Sequence, residues 1–174
     1  NTGGFNNIYI ATGDIDQQYT FSNGIYRSED GGQTWLTING NLFNNQPGNH
    51  YIGKVLVYPS DSTTMFVATS MGIYKCTNRQ SVTPSWTKVY PQSGFEYFTN
   101  IEFEPNNYDV LYSSGIDIIK SSSGGTSWAS IATTGSGFDL TNTPSANQFI
   151  NLSPAEYVAR ITIAISSDNK YLYA

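Results

Sequence analysis

Short stretches in which apolar and polar residues alternate recur along the whole chain. Such a period of two is typical of β-strands that bury one face. Turn-forming residues follow several of them, such as Pro-Ser-Asp at 59–61 and Pro-Asn-Asn at 105–107. Only the segment 153–160 has a helix-like composition, and Pro154 limits it to one turn. The pattern therefore predicts an all-β protein. The clearest predicted strands are 8–13, 52–59, 65–70, 99–105, 110–115, 159–166 and 171–174.

One longer pattern occurs three times and sets the period of the fold. Its equivalent positions Ser28, Cys76 and Ser121 lie 48 and 45 residues apart. A period near 45 residues, with four short strands in each repeat, predicts the blades of a β-propeller. The three copies are GIYRSEDGGQTW (24–35), DIIKSSSGGTSW (117–128) and the weaker, longer GIYKCTNRQSVTPSW (72–86).

The order of the predicted strands divides the chain into four units. We expect an all-β fold in which residues 1–174 form part of one β-propeller with four-stranded antiparallel blades. The missing strands of the partial units are expected either from a longer polypeptide or from self-association through open strand edges. The units are a partial blade at 5–40, whole blades at 51–90 and 97–133, and a partial blade at 157–174.

The stretch SEDGGQTW (28–35) resembles the Asp-box, or bacterial neuraminidase repeat, whose pattern is Ser-x-Asp-x-Gly-x-Thr-Trp. The copy at 121–128 keeps Ser121, Gly125 and Trp128, but has Ser123 where the pattern has Asp. The wider pattern is similar to the sortilin-like Asp-box propellers of secreted bacterial proteins. It resembles more distantly the xyloglucan-cleaving glycoside hydrolases. These resemblances imply a propeller fold and a secreted or cell-surface location. The matched positions of the first copy are Ser28, Asp30, Gly32, Thr34 and Trp35.

The residue types in SEDGGQTW suit a tight turn between two strands. Gly31 and Gly32 supply positive φ at low cost. A short carboxylate such as Asp30 accepts hydrogen bonds from backbone N–H groups of its own turn. The ring of Trp35 is expected to cover the hairpin and to be buried. We therefore interpret Asp30 as a structural residue, and its replacement by Ser123 in a later copy agrees with that role.

Charge and composition exclude several classes of function. The formal net charge is −5 with only eight Lys and Arg residues, so no basic surface for nucleic acid is expected. The longest apolar runs are too short to span a membrane. Cys76 is the single cysteine and His50 the single histidine, which leaves no set for a zinc site or a Ser-His-Asp triad. We expect Cys76 to be a small buried residue.

The strongest candidates for ligand contact are Asp14 and Asp16, in the long loop after the first predicted strand. Three interpretations remain open: an exposed acidic loop, a ligand loop, or a Ca²⁺ site formed with loop carbonyls. In the xyloglucan-cleaving enzymes a catalytic aspartate occupies a comparable place, so the resemblance makes Asp14 a weak catalytic candidate. No other cofactor is expected. Five aromatic residues form either a carbohydrate-stacking surface or part of the core: Tyr51, Tyr58, Tyr90, Tyr97 and Phe98.

The sequence favours a non-catalytic binding or display function toward a polysaccharide or a protein. Glycoside hydrolysis needs two carboxylates with different environments across a cleft. The sequence predicts no such pair within this chain. The alternative is a section of a xyloglucanase-like glycoside hydrolase whose active site needs residues from outside the chain. A purely structural role in presenting other domains is a third possibility.

Overall fold

The computed structural model describes residues 7–13, 22–45, 50–115, 117–131 and 161–174. These residues form β-strands and one 3-10 turn, Leu42–Asn45, which the sequence pattern did not predict. The candidate helical turn at 153–160 lies outside them. The strands are β1 Ile8–Ala11, β2 Ile25–Ser28, β3 Leu36–Thr37, β4 Ile52–Val57, β5 Met65–Thr69, β6 Gly72–Cys76, β7 Trp86–Tyr90, β8 Phe98–Glu104, β9 Asn107–Gly115, β10 Ile118–Ser121, β11 Ala129–Ser130, β12 Ala164–Ile165 and β13 Leu172–Tyr173.

The strands form four antiparallel sheets, each a meander in which sequence neighbours pair. Sheet 1 has the order β1-β2-β3, sheet 2 β4-β5-β6-β7, sheet 3 β11-β10-β9-β8 and sheet 4 β12-β13. The registers shift at four places, near Gly53 and Tyr74 in sheet 2 and near Thr99 and Glu104 in sheet 3. The predicted fold class, all-β with the antiparallel sheets of a partial β-propeller, is confirmed.

The central strand β5 shows why the sheets stack on one another. All five of its residues are buried. Met65 and Val67 pack toward sheet 1 with Ile25, while Phe66 and Ala68 pack in a second cluster with residues of sheet 3. Alternate side chains of a strand point to opposite faces, so both faces of sheet 2 are covered. The apolar run in β5 therefore lies between two neighbouring sheets.

The first strands of neighbouring sheets start at the same end of the structure, and this defines two edges. Gly53 of β4 lies beside Thr99 of β8, where an added Cβ would approach the Thr99 carbonyl oxygen to 2.5 Å. Asn100 Nδ2 donates to the Ile163 carbonyl just before β12. The starts of these first strands are therefore adjacent. We call this end, with the β1–β2, β3–β4, β5–β6, β7–β8 and β9–β10 connections, the upper edge; the opposite end is the lower edge.

Cys76 is fully buried in the cluster between sheets 1 and 2, as expected from its sequence. Burial raises the pKa of its thiol above the usual value. In the described part of the chain, no helix has the length and apolar character needed to cross a membrane.

Candidate functional site

The SEDGGQTW turn lies at the lower edge, and its own residues occupy the Asp30 carboxylate. The backbone N–H groups of Gln33 and Thr34 both donate to Asp30 Oδ1 over 2.9 Å. The Thr34 hydroxyl donates to Oδ2 over 2.6 Å, and the Ser28 hydroxyl donates to Oδ1 over 2.8 Å. These bonds, those from Thr34 first, hold the pKa of Asp30 well below its usual value. The geometry is that of a turn-stabilising residue.

The second copy of the turn uses Ser123 in the position of Asp30. The Ser127 N–H donates to Ser123 Oγ over 3.0 Å, and the Gly125 N–H donates to Ser121 Oγ over 3.0 Å. In the first copy, the Gly32 N–H donates to Ser28 Oγ over 2.8 Å. Ser123 Oγ accepts one backbone N–H where the Asp30 carboxylate accepts two, and it also bonds with the Ser127 hydroxyl at 2.9 Å. The turn therefore forms without the carboxylate.

A third turn, between β12 and β13, has a related chemistry that the sequence analysis did not predict. The Ser166 hydroxyl donates to Asp168 Oδ1 over 2.6 Å. The Lys170 and Tyr171 N–H groups both donate to Ser166 Oγ. The Ser-x-Asp spacing was the available signal, but the turn has no following Gly and Trp.

The expected burial of Trp35 is wrong, since the residue is 40% exposed. Its ring covers the turn, with Cζ2 3.6 Å from where a Gly32 Cβ would lie, and its Nε1 donates to the Gly32 carbonyl. Trp128 makes the same bond to Gly125 but also packs against the core cluster of sheets 2 and 3. Within the described residues, no sheet precedes sheet 1 to bury Trp35 in this way.

Asp14 and Asp16 lie outside the described residues, so their roles as ligand, catalytic or calcium residues remain predictions. The anchors of their loop are defined at the upper edge. The Thr12 N–H donates to the Gly24 carbonyl, and the Ser22 N–H donates to the His50 carbonyl. Among the residues that the structure describes, no cluster of three or more His, Cys, Asp or Glu side chains is arranged to hold a metal ion.

Of the two interpretations of the aromatic residues, the structure supports the core for Phe98, Tyr90 and Tyr58. Phe98 is fully buried, and the ring of Tyr90 packs edge-on against it at 5.7 Å. Tyr58 packs edge-on against Phe103 and Tyr108. These rings stabilise the contact between sheets 2 and 3.

A cleft of about 360 Å³ opens beside the β5–β6 turn, between the β3–β4 connection and strands β6 and β7 of sheet 2. Its volume lies within the range of small-molecule sites. Phe43 packs against the rings of His50 and Tyr74, with centroids 4.5 and 5.6 Å away. Phe43 also has φ of 53°, a conformation that is strained for a bulky residue. We call this site the upper cleft, and its described lining residues are Asn41, Phe43, His50, Met71, Tyr74, Trp86 and Lys88.

The electrostatics of the upper cleft are set by burial. Burial lowers the pKa of His50 and of Lys88, and it raises the pKa of Tyr74. No charged neighbour contributes to any of these three shifts among the described residues. The described lining of the cleft contains aromatic, amide, imidazole and ammonium groups, but no carboxylate.

The structure brings together one carboxylate pair that the sequence analysis did not predict. Glu96 lies just before β8 and Asp117 lies in the β9–β10 turn, both at the upper edge, and the charge of Asp117 acts on Glu96. Burial raises the pKa of Glu96, and the charge of Asp117 raises it further, while a hydrogen bond from Tyr90 opposes the shift. The expectation that the chain contains no catalytic carboxylate pair stays a prediction, because the raised pKa of Glu96 does not by itself show such a pair. The two residues come from separate connections that only the folded structure brings together.

Comparisons with known proteins support the fold. No family model matches the chain, and no curated protein matches it. An ancestral GH74 enzyme superposes with a TM-score of 0.52 and 23% identity, covering 70% of this chain and 18% of that one. A GH74 enzyme from Niastella koreensis gives a TM-score of 0.52 and 21% identity, covering 72% and 20%. The chain thus spans about a fifth of each of these proteins.

Proposed function

We propose that this chain is a polysaccharide-binding section of a larger Asp-box propeller protein, secreted or displayed on the cell surface, and that it binds without cleaving. The observation that carries the proposal is the upper cleft. It combines aromatic rings with hydrogen-bonding side chains, and its described lining has no carboxylate. Its position at the upper edge, where the long connections collect, is typical of ligand sites in sheet proteins.

The chemistry of the upper cleft suits a sugar ring. The C–H faces of a pyranose pack on aromatic rings, and Tyr74 offers a half-buried one. Asn41 is exposed at the rim, and His50 is half-buried beside it. Amide and imidazole groups exchange hydrogen bonds with hydroxyl groups. Hydrolysis instead requires an acid and a second carboxylate across the bond, which the described lining does not supply.

Replacement of Tyr74 tests this site. We expect Tyr74→Ala to weaken binding to the best ligand of a polysaccharide panel by about tenfold or more, because the stacking ring is lost. Tyr26→Ala is the matched control, since Tyr26 is a half-buried strand tyrosine outside the cleft. Affinity electrophoresis measures both variants beside the wild type, after circular dichroism has shown that they fold. Equal binding by Tyr74→Ala and the wild type would remove the cleft from the proposal.

A section of a glycoside hydrolase is the second candidate. The observation that favours it is Glu96, whose pKa is raised by burial and by the charge of Asp117, as suits a general acid. Asp14 is the further candidate, on the resemblance to the xyloglucan-cleaving enzymes. In this alternative the remaining catalytic groups come from another part of a longer protein, and release of new reducing ends distinguishes it from binding alone.

The sequence analysis also predicted a possible protein ligand, a Ca²⁺ site and strand pairing, and we keep these three as proposals. A protein ligand, or display of other domains, is the alternative to a polysaccharide. Asp14 and Asp16 remain candidates for ligand contact or for Ca²⁺. The free edges of the sheets remain candidates for pairing with further strands of a longer chain or with a second copy.

A further inference from the structure

Lys88 gives the upper cleft a positive charge, and no described carboxylate pairs with it there. The described ion pairs of the protein join Arg27 to Glu29, Lys54 to Glu102 and Lys170 to Asp168. Lys88 is in none of them. Its ammonium donates to the backbone carbonyl of Gly94, a neutral acceptor.

The other lysines without an ion pair have aromatic partners. Lys75 lies over the ring of Phe66, and Lys120 lies over that of Tyr112, at 5.3 and 5.2 Å from the ring centroids. Among the described residues, no ring is placed to contact the ammonium of Lys88 in this way. A half-buried ammonium of this kind gains most from a ligand that brings its own negative charge.

We propose that the upper cleft binds a polysaccharide whose sugars carry carboxylates, with Lys88 pairing with one uronate group and Tyr74 stacking on its ring. This inference rests on the proposed function and names the ligand class of the same cleft. A single ammonium matches one carboxylate for each bound unit. It does not match the closely spaced phosphates of a nucleic acid, which the net charge of −5 also disfavours.

The remaining lining groups are compatible with a uronate. Burial lowers the pKa of His50, so its imidazole tends to be neutral and does not compete with Lys88 for the carboxylate. Asn41 Nδ2 donates to the Trp86 carbonyl, and Asn41 Oδ1 accepts from the Trp86 N–H. This side chain is thereby fixed at the rim of the cleft.

Three uronate polymers test the inference: polygalacturonate, alginate and glucuronan. Each is compared with its own methyl ester, which keeps the backbone and removes the charge. Titration calorimetry with short oligomers of each measures affinity. We expect the wild type to bind at least one charged form about tenfold or more tightly than its ester. We expect this preference to fall as salt is raised.

Variants of Lys88 then locate the charge effect. We expect Lys88→Gln to abolish the preference for the charged form over the ester, and Lys88→Arg to keep most of it. Lys120→Gln makes the same change in net charge outside the cleft and should behave as the wild type. Circular dichroism confirms that each variant is folded.

The outcomes separate this inference from the function on which it rests. A preference that survives in Lys88→Gln, or the absence of any preference between polymers and esters, overturns the role of Lys88. If neutral polysaccharides still bind through Tyr74 in that case, the proposed binding function stands. If no polymer, charged or neutral, binds the folded protein, both proposals fail.

Discussion

Among single residues, Asp30 shows how an acidic side chain serves structure. Its two carboxylate oxygens accept four hydrogen bonds from Ser28, Gln33 and Thr34, all within seven residues of sequence. A carboxylate in such a setting is stabilised in its ionised form. It contributes to folding through its charge, and this makes its contribution dependent on pH.

The pH dependence of stability tests this role. The folded-state pKa of Asp30 lies below the unfolded value of about 3.9. Its contribution is therefore fully present above pH 4 to 5 and is lost as the pH falls toward the folded-state pKa. We expect Asp30→Ser to lower the urea midpoint at pH 7, and the gap from the wild type to shrink steadily below pH 4.

A neighbouring acid provides the control for that experiment. Glu29→Gln removes a carboxylate one residue away that is largely exposed and pairs with Arg27. We expect its gap from the wild type to be smaller at pH 7 than that of Asp30→Ser, since the Glu29 carboxylate is exposed and the buried Arg27 keeps its hydrogen bond to the Arg79 carbonyl. A gap for Asp30→Ser that is absent at pH 7, or that stays constant down to pH 2, would contradict the turn-stabilising role.

Individual residues also show where sequence reasoning succeeds. The hydrogen bonds of Asp30 are local, so the spacing within SEDGGQTW was enough to predict a turn. The burial of Trp35 depends on a neighbouring sheet, which the local sequence does not report. The proximity of Glu96 and Asp117 depends on how the β7–β8 and β9–β10 connections pack, and for that reason it was missed.

At the scale of secondary-structure elements, the β10–β11 turn is packed against the preceding sheet. Lys75 of β6 donates to the Gly124 carbonyl over 2.8 Å. Phe66 of β5 lies directly against Gly125, where an added Cβ would come within 2.4 Å of its ring. The turn thus links sheet 3 to sheet 2 by both hydrogen bonding and close packing.

The two glycines of this turn form a matched test. Both have positive φ, 62° at Gly124 and 78° at Gly125, so alanine is strained at either position. Only Gly125→Ala also collides with Phe66; Gly124 has open space apart from Asp109 at 3.5 Å. We expect Gly125→Ala to cost about 1–3 kcal/mol more than Gly124→Ala in chemical denaturation. Equal costs would contradict the packing of the turn on sheet 2.

The strands were more predictable than the cleft. The sequence located β4, β5 and β9 within a few residues because each strand carries its own local apolar pattern, which in β5 is a continuous run. The upper cleft draws its lining from the β3–β4 connection, the β5–β6 turn, β6 and β7. Its residues share no local motif, and the strained Phe43 lies in the 3-10 turn that the pattern did not predict. The site therefore emerges only from the packed structure.

For the molecule as a whole, stacked sheets with their long connections at one edge provide the frame for function. Sheets 2 and 3 are complete meanders of four strands, and a buried aromatic cluster joins them. The fold resembles a portion of two GH74 enzymes at 21–23% identity. The fold leaves both binding and hydrolysis open, because one architecture supports many functions. The central claim is that this chain binds polysaccharide without cleaving it.

The most direct measurement follows binding and cleavage in the same sample. The folded wild-type protein is incubated with the polysaccharide that it retains best, and bound protein and new reducing ends are both quantified over time. We predict saturable retention with reducing ends that stay at the level of a protein-free control. Reducing ends that rise in proportion to protein in the wild type, and that fall to that control level in Glu96→Gln or Asp14→Asn, would contradict the account.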